Sequence, residues 1–257
     1  MYATDPSESL VPMFLKSEYD DQFSQFGTGI FVELHGEPFL FTAAHVTDEY
    51  EHGKIYVPVI DTFAEVDGYF AFIDLPPEIP REDDYSDVAY FRLSTQFATL
   101  LCSNFRPWPQ ARCRLIDSSL DLGACSIYGY PTSRYKRRGD VHRSESATFR
   151  GGAASQDIYD LHGLSTEEHI VVHFHRKRVV DPESGERRNP INPRGVSGGG
   201  IYAWPAGEEL SNDWTLPLLV GIFHTYNRPQ GLMIGTQLLT VLGAIQLGRM
   251  KGFGGVL

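Results

Sequence analysis

Short apolar and alternating runs recur along most of the chain, separated by Pro, Gly and charged residues, and they predict a protein built from strands. TGIFVEL (28–34) and EPFLFTAAHV (37–46) flank His35-Gly36, the arrangement of a β-hairpin. KIYVPVI (54–60) and GYFAFIDL (68–75) follow. DVAYFRL (87–93) alternates cleanly, with Val88, Tyr90 and Arg92 on one face and Ala89, Phe91 and Leu93 on the other. The second half repeats the signal in ACSIYGY (124–130), HIVVHFH (169–175), GIYAW (200–204) and PLLVGIFH (217–224). Only TQLLTVLGAIQLGRM, near the C-terminus, has helical spacing, at Leu238, Leu239, Leu242 and Ile245. Many short strands and one late helix predict an all-β sandwich or barrel architecture, not a parallel α/β sheet. RPWPQARCRLIDSSLDLG (106–123) reads as the connection between two β halves, and 176–194 as a long polar loop.

Composition narrows the function classes. With 257 residues and 42% of them apolar, the chain can bury an ordinary core, and it holds no apolar run long enough to span a membrane. The opening MYATDPSESLVPMF lacks a basic segment followed by an apolar one, so no secretory signal is expected. A formal charge of −11 argues against nucleic-acid binding. The local exception is Arg134, Lys136, Arg137 and Arg138, followed by Arg143 and Arg150, read as a solvated loop with docking of an acidic partner as the alternative. Three cysteines, Cys102, Cys113 and Cys125, make no disulfide framework and fit a reducing, cytoplasmic compartment. His173 and His175 share a strand face without an evident third ligand, so packing is favoured over a metal, and no cofactor is expected.

One stretch carries chemistry. In GVSGGG (195–200) a serine sits on nearly bare backbone. Glycine runs commonly mark turns, but an attacking hydroxyl also needs room for a carbonyl and nearby N–H groups for the developing oxyanion. A base and an orienting acid decide between the two. His45, among the small residues of FTAAHV, can face a cleft. Asp87 stands directly before an apolar strand, where a partly buried carboxylate needs a partner such as an imidazole N–H. Asp83 and Asp84 are expected to be solvated.

TGIFVELHGEPFLFTAAHV, SDVAYFRL, RGVSGGGIYAW and LLVGIFHTY, in this order, resemble the trypsin/chymotrypsin-like serine proteases, in a bacterial intracellular form. The resemblance implies two packed six-stranded β-barrels and a C-terminal α-helix: an N-terminal extension (1–25), a first barrel (26–112) carrying His45 and Asp87, a second (113–236) carrying Ser197, and a helix and tail (237–257). It implies a serine endopeptidase acting on protein or peptide substrates. Ser197 would be the nucleophile, His45 the general base, Asp87 its orienting partner, and the Gly195 and Ser197 amides the oxyanion hole.

The chain departs from that pattern in places. Val46 follows His45, where secreted members carry a bracketing cysteine. Val196 precedes Ser197 in place of the Asp that pairs with a newly cut N-terminus, so the chain is expected to need no such cut. Ile191, His224, Thr225 and Tyr226 are the expected substrate pocket, with a small or apolar preference favoured over an acidic one. A regulatory protein partner or ordering of the 176–194 loop is a further expectation. Two rivals remain: a catalytically silent binding module of the same fold, and an esterase. The esterase requires the order Ser…Asp…His and a strand-to-helix turn after the serine, which the residues after Ser197 do not supply.

Overall fold

The His35-Gly36 turn sets the first hairpin. Both residues have positive φ, 51° and 78°, as the mirror-image two-residue turn requires to match strand twist. They join β2 (Phe23–Leu34) to β3 (Glu37–Thr42), with Leu34 opposite Glu37. The computed structural model describes residues 1–16, 22–48, 53–72, 84, 86–175, 191–209 and 211–246.

Around this hairpin the first half folds into one curled antiparallel sheet. It also contains β1 (Leu10–Lys16), β4 (Ile55–Val59), β5 (Thr62–Glu65), β6 (Gly68–Phe72) and β7 (Ala89–Leu93), in the order β5-β4-β1-β2-β3-β7-β6. A two-residue strand, β8 (Trp108–Pro109), adds a parallel pair to β2. Among the described residues the path thus holds seven strands where six were expected. The extra one, β1, lies in the segment expected to be an extension outside the barrel. LVPMFLK becomes a strand despite Pro12 because β4 pairs only with Phe14 and Leu15, so the proline needs no ladder donor on that side.

The second half contains β9 (Ala124–Gly129), the small hairpin β10 (Lys136–Arg138) and β11 (Val141–Arg143), β12 (Ala147–Gly152), β13 (His169–His173), β14 (Gly200–Ala203), β15 (Leu218–Asn227) and β16 (Leu232–Gln237). Its main sheet runs β12-β9-β14-β15-β16-β13, and an antiparallel bridge between Ala153 and Val172 brings the two edges together. This is the six-stranded barrel expected from the sequence. Among the described residues the α-helices are α1 (Ala44–Asp48), α2 (Thr95–Leu101), α3 (Gln156–His162) and α4 (Leu238–Gln246). Only the last was expected. α2 is announced by Ser94, whose hydroxyl accepts from the Phe97 amide at 3.2 Å as an N-cap.

Each barrel has its own core, and a third apolar layer joins them. Leu10, Ile30, Phe39, Tyr90 and Trp108 of the first half meet Tyr128, Tyr202, Leu219 and Ile222 of the second, and Leu238 and Val241 of α4 close the same cluster. Trp108 and Tyr202 pack edge to face with centroids 5.0 Å apart. Buried side chains of this size contribute about 1.5–3 kcal/mol each, so this shared layer holds the two barrels together. No helix among the described residues is long and apolar enough to cross a membrane. Cys102, Cys113 and Cys125 are free thiols.

Candidate active site

The strand that leads toward His45 stops at Thr42, and Ala44–Asp48 forms the short α1, so His45 sits on a helical turn and not at a strand end. Asp87 fixes this turn. Its carbonyl accepts from the Ala44 amide at 3.1 Å and its Oδ1 from the His45 amide at 2.8 Å. Its other oxygen, Oδ2, lies 2.6 Å from His45 Nδ1. Asp87 pays for this grip with a left-handed backbone, φ 31°, a conformation that Asp adopts more readily than most residues because its short polar side chain bonds locally.

Asp87 is buried and His45 half-exposed, with side-chain exposures of 8% and 41%. Burial pushes the Asp87 carboxyl up. The hydrogen bond from the His45 ring, the two nearby imidazoles and the His45 amide outweigh it and hold the carboxyl below the ordinary aspartate range. Asp84, expected in solvent, is also buried, with its carboxylate accepting from the Ser86 amide. Asp83 lies outside the described residues.

Ser197 approaches from the second barrel. Its carbonyl accepts from the Thr28 amide of β2 at 3.0 Å, and Gly198 N donates to Phe223 O at 2.7 Å. The two flanking glycines are required. Gly195 and Gly198 have φ of 91° and 87°, and a Cβ on Gly198 would lie 2.0 Å from the Thr28 carbonyl and 2.2 Å from Thr42 Oγ1. Thr28 also donates its hydroxyl to Gly195 O at 2.8 Å, so both ends of the serine turn are tied to β2. Ser197 Oγ donates to the His224 carbonyl at 2.9 Å.

His224 departs from its expected place in a substrate pocket. Its side chain is buried, 4% exposed, with Nδ1 3.8 Å from Asp87 Oδ2 and 2.9 Å from Thr225 Oγ1. The cause is a bulge. β15 pairs with β16 through Phe223↔Gly235 and then Thr225↔Ile234, so His224 is the extra residue and turns inward. Burial pushes its imidazole down to about 4, against the pull of Asp87. Of the other expected pocket residues, Ile191 and Tyr226 are half-buried against the second barrel's core and Thr225 is exposed. His173 and His175 stack with centroids 6.0 Å apart.

The His224 environment has a thermodynamic consequence. An unfolded imidazole binds a proton near pH 6.5, whereas the buried one resists until about 4. Across that window the unfolded chain holds more protons, so stability falls as pH falls, and a difference of this size corresponds to about 3 kcal/mol. Urea unfolding between pH 7 and 4.5 should show the loss, and His224→Leu should flatten it. An equally steep loss in the variant would assign the effect to other groups.

A cleft of about 280 Å³ opens beside His45, lined by Gln25, Phe26, His45, Val46, Thr132 and Arg194. The basic segment noted in the sequence is not a loop but the β10–β11 hairpin, turning at Gly139 with φ 62°. Arg150 does not belong to it. Its guanidinium lies 3.9 Å from the Trp204 ring centroid and 4.8 Å from that of Trp214, and donates to the Glu209 and Ser211 carbonyls. Of the expected regulatory loop, 176–190 lies outside the described residues.

No family model and no curated protein matches the chain. Solved structures do match. The serine protease domain of the Sesbania mosaic virus polyprotein shares 16% identity at TM-score 0.50, covering 94% of each chain. AL20, a thermostable serine protease from an extremophilic microorganism, shares 13% at TM-score 0.52, over 90% of this chain and 91% of its own. The scabies mite inactivated protease paralogue S-I1 shares 14% at TM-score 0.53, over 95% and 94%. The chain therefore has the double-barrel fold of trypsin-like serine proteases, a fold that carries both active and inactivated members among these neighbours.

Proposed function

We propose that this chain is a serine endopeptidase acting on protein or peptide substrates. The observation that supports the reading is a chain of contacts that links the three groups, from separate segments, through His224. The His45 ring is held by Asp87 at 2.6 Å, Asp87 also reaches His224 at 3.8 Å, and the His224 carbonyl holds Ser197 Oγ at 2.9 Å. Rotation of the serine about χ1 would release that bond and turn Oγ toward the imidazole. His45 would then take the proton as Oγ attacks a peptide carbonyl and return it to the departing amine. Asp87 would fix the tautomer and stabilise the imidazolium. The Gly195 and Ser197 amides, set by the positive φ of Gly195 and the ties to Thr28, would receive the oxyanion.

The same serine hydrogen bond favours a conditional version, in which the hydroxyl rests on a backbone carbonyl until substrate or a regulatory partner shifts it. Cytoplasmic location and a bacterial-type origin stay with this proposal, supported by the free cysteines and by Val46. A fluorophosphonate probe tests the chemistry: it should label the parent chain and neither Ser197→Ala nor His45→Ala. Equal labelling of the Ser197→Ala chain would reject the assigned nucleophile, and no labelling of the parent would favour the silent binding module.

A further inference from the structure

A second groove near the candidate cleft has no part in the chemistry proposed for it. It encloses about 670 Å³, within the range of ligand sites. Phe14, Phe23, Phe63 and His142 line it and pack on one another. Phe23 stacks on Phe63 at 4.1 Å, Phe14 meets Phe63 edge to face at 4.7 Å, and His142 stands edge-on to Phe63 at 5.0 Å. Ile60 and Val141 also line the groove, and both are largely in solvent, 63% and 68% exposed. Two exposed branched apolar residues beside an aromatic floor make an unusual surface for a chain of this charge.

The charge around it differs from that of the chain. Lys136, Arg137, Arg138 and Arg143 against Asp140 give 4 − 1 = +3 over residues 136–143, in a chain of net −11. Lys136, Arg137, Arg138 and Arg143 are all exposed; Arg137 lines the groove together with Asp61 and Asp140, so the positive charge belongs to the hairpin at its rim and not to the lining as a whole. Among the described residues, the hairpin that carries these basic side chains pairs with no other strand. Tyr135 anchors its base, donating to the Phe23 carbonyl at 3.0 Å and lying 2.6 Å from His142 Nδ1.

The groove and the cleft are lined by neighbouring residues of the same segments. β2 contributes Phe23 to the groove and, further along, Gln25 and Phe26 to the cleft. Tyr130 lines the groove and Thr132 the cleft, and Gln25 Nε2 donates to the Tyr130 carbonyl at 2.8 Å between them. At about 3.3 Å per extended residue, three or four substrate residues cover the interval from Phe26 to Phe23.

We propose that this groove anchors the polypeptide substrate some residues away from the cleaved bond, binding a segment with an aromatic side chain among acidic residues. The aromatic ring would enter between Ile60 and Val141 onto Phe63 and His142, while Asp or Glu neighbours meet Arg137 and the rest of the basic hairpin. The inference rests on the endopeptidase reading, and selectivity would then come from a distal anchor more than from the residue beside the scissile bond.

The test uses the full chain with Ser197→Ala and a fluorescein-labelled peptide of roughly a dozen residues, with one Trp between Asp and Glu. Anisotropy should report binding that weakens by about tenfold or more when the Trp is changed to Ala, weakens in rising salt, and falls similarly with Val141→Asp or Arg137→Glu. Arg137 is exposed on the hairpin, so its variant should melt as the parent does, whatever Val141→Asp does to folding. Absence of binding, equal binding of a peptide with Lys in place of the acids, or indifference to Arg137→Glu would overturn the proposal. Fluorophosphonate labelling of the parent reports the cleft separately. Labelling without peptide binding removes the groove alone. Binding without labelling removes the endopeptidase reading and with it the substrate role.

Discussion

Ser197→Ala lowers kcat on a peptide substrate by about a millionfold, His45→Ala by a similar factor, and the double variant by little more than either alone. The expectation follows from two groups acting as one unit: without the hydroxyl there is no proton for the imidazole to take, and without the imidazole the hydroxyl is a weak nucleophile. The residual rate of about a thousandfold over water should come from the Gly195 and Ser197 amides, which neither substitution removes. Loss of Oγ breaks one bond, to the His224 carbonyl. The backbone bonds that shape the turn, Thr28 N to Ser197 O and Gly198 N to Phe223 O, remain. The effect should therefore fall on kcat, with KM and the melting temperature nearly unchanged. Steady-state kinetics on the three variants decides it. Multiplying losses in the double variant would mean that the two residues act independently, which the proposed mechanism forbids.

His45, Asp87 and Ser197 could be singled out as candidates because each stands in a local context with its own physical reason. Gly195 and Gly198 need positive φ around the serine. Asp87 precedes a buried strand, and His45 lies among small residues. The class of fold was legible for a similar cause: period-two alternation in DVAYFRL or KIYVPVI is a local signal. What escaped depends on partners distant in sequence. LVPMFLK looks like an interrupted run at Pro12, and only the limited reach of β4 makes it a sheet strand. FLFTAAHV reads as one strand, yet it ends at Thr42, and the following turn is held by amide bonds to Asp87, 42 residues away from His45. The inward turn of His224 comes from a bulge that only the β15–β16 register reveals. The β10–β11 hairpin has almost no apolar alternation, and what holds it is the contact of Tyr135 and His142 with Phe23.

Asp87→Asn reduces kcat by about ten-thousandfold while leaving the fold intact. Asp87 uses both oxygens, Oδ1 for the His45 amide at 2.8 Å and Oδ2 for His45 Nδ1 at 2.6 Å. An asparagine has one acceptor to offer. If its oxygen keeps the backbone amide, its NH₂ faces Nδ1, which must then carry the lone pair. The ring proton moves to Nε2, and the atom that should receive the serine proton is already protonated. If the amide flips, a donor meets the His45 N–H and the turn loses its hold. Either way the negative charge that would stabilise the imidazolium is gone. The backbone argues that the variant folds, because φ of 31° is a conformation that Asn tolerates as well as Asp. Asp87→Ala, which cannot ease that strain or bond to α1, should lose comparable activity and also melt lower. Kinetics and thermal melts of the two variants separate the roles. If Asp87→Asn kept most of its kcat, the carboxylate would be a brace for the α1 turn and not the partner of a working base.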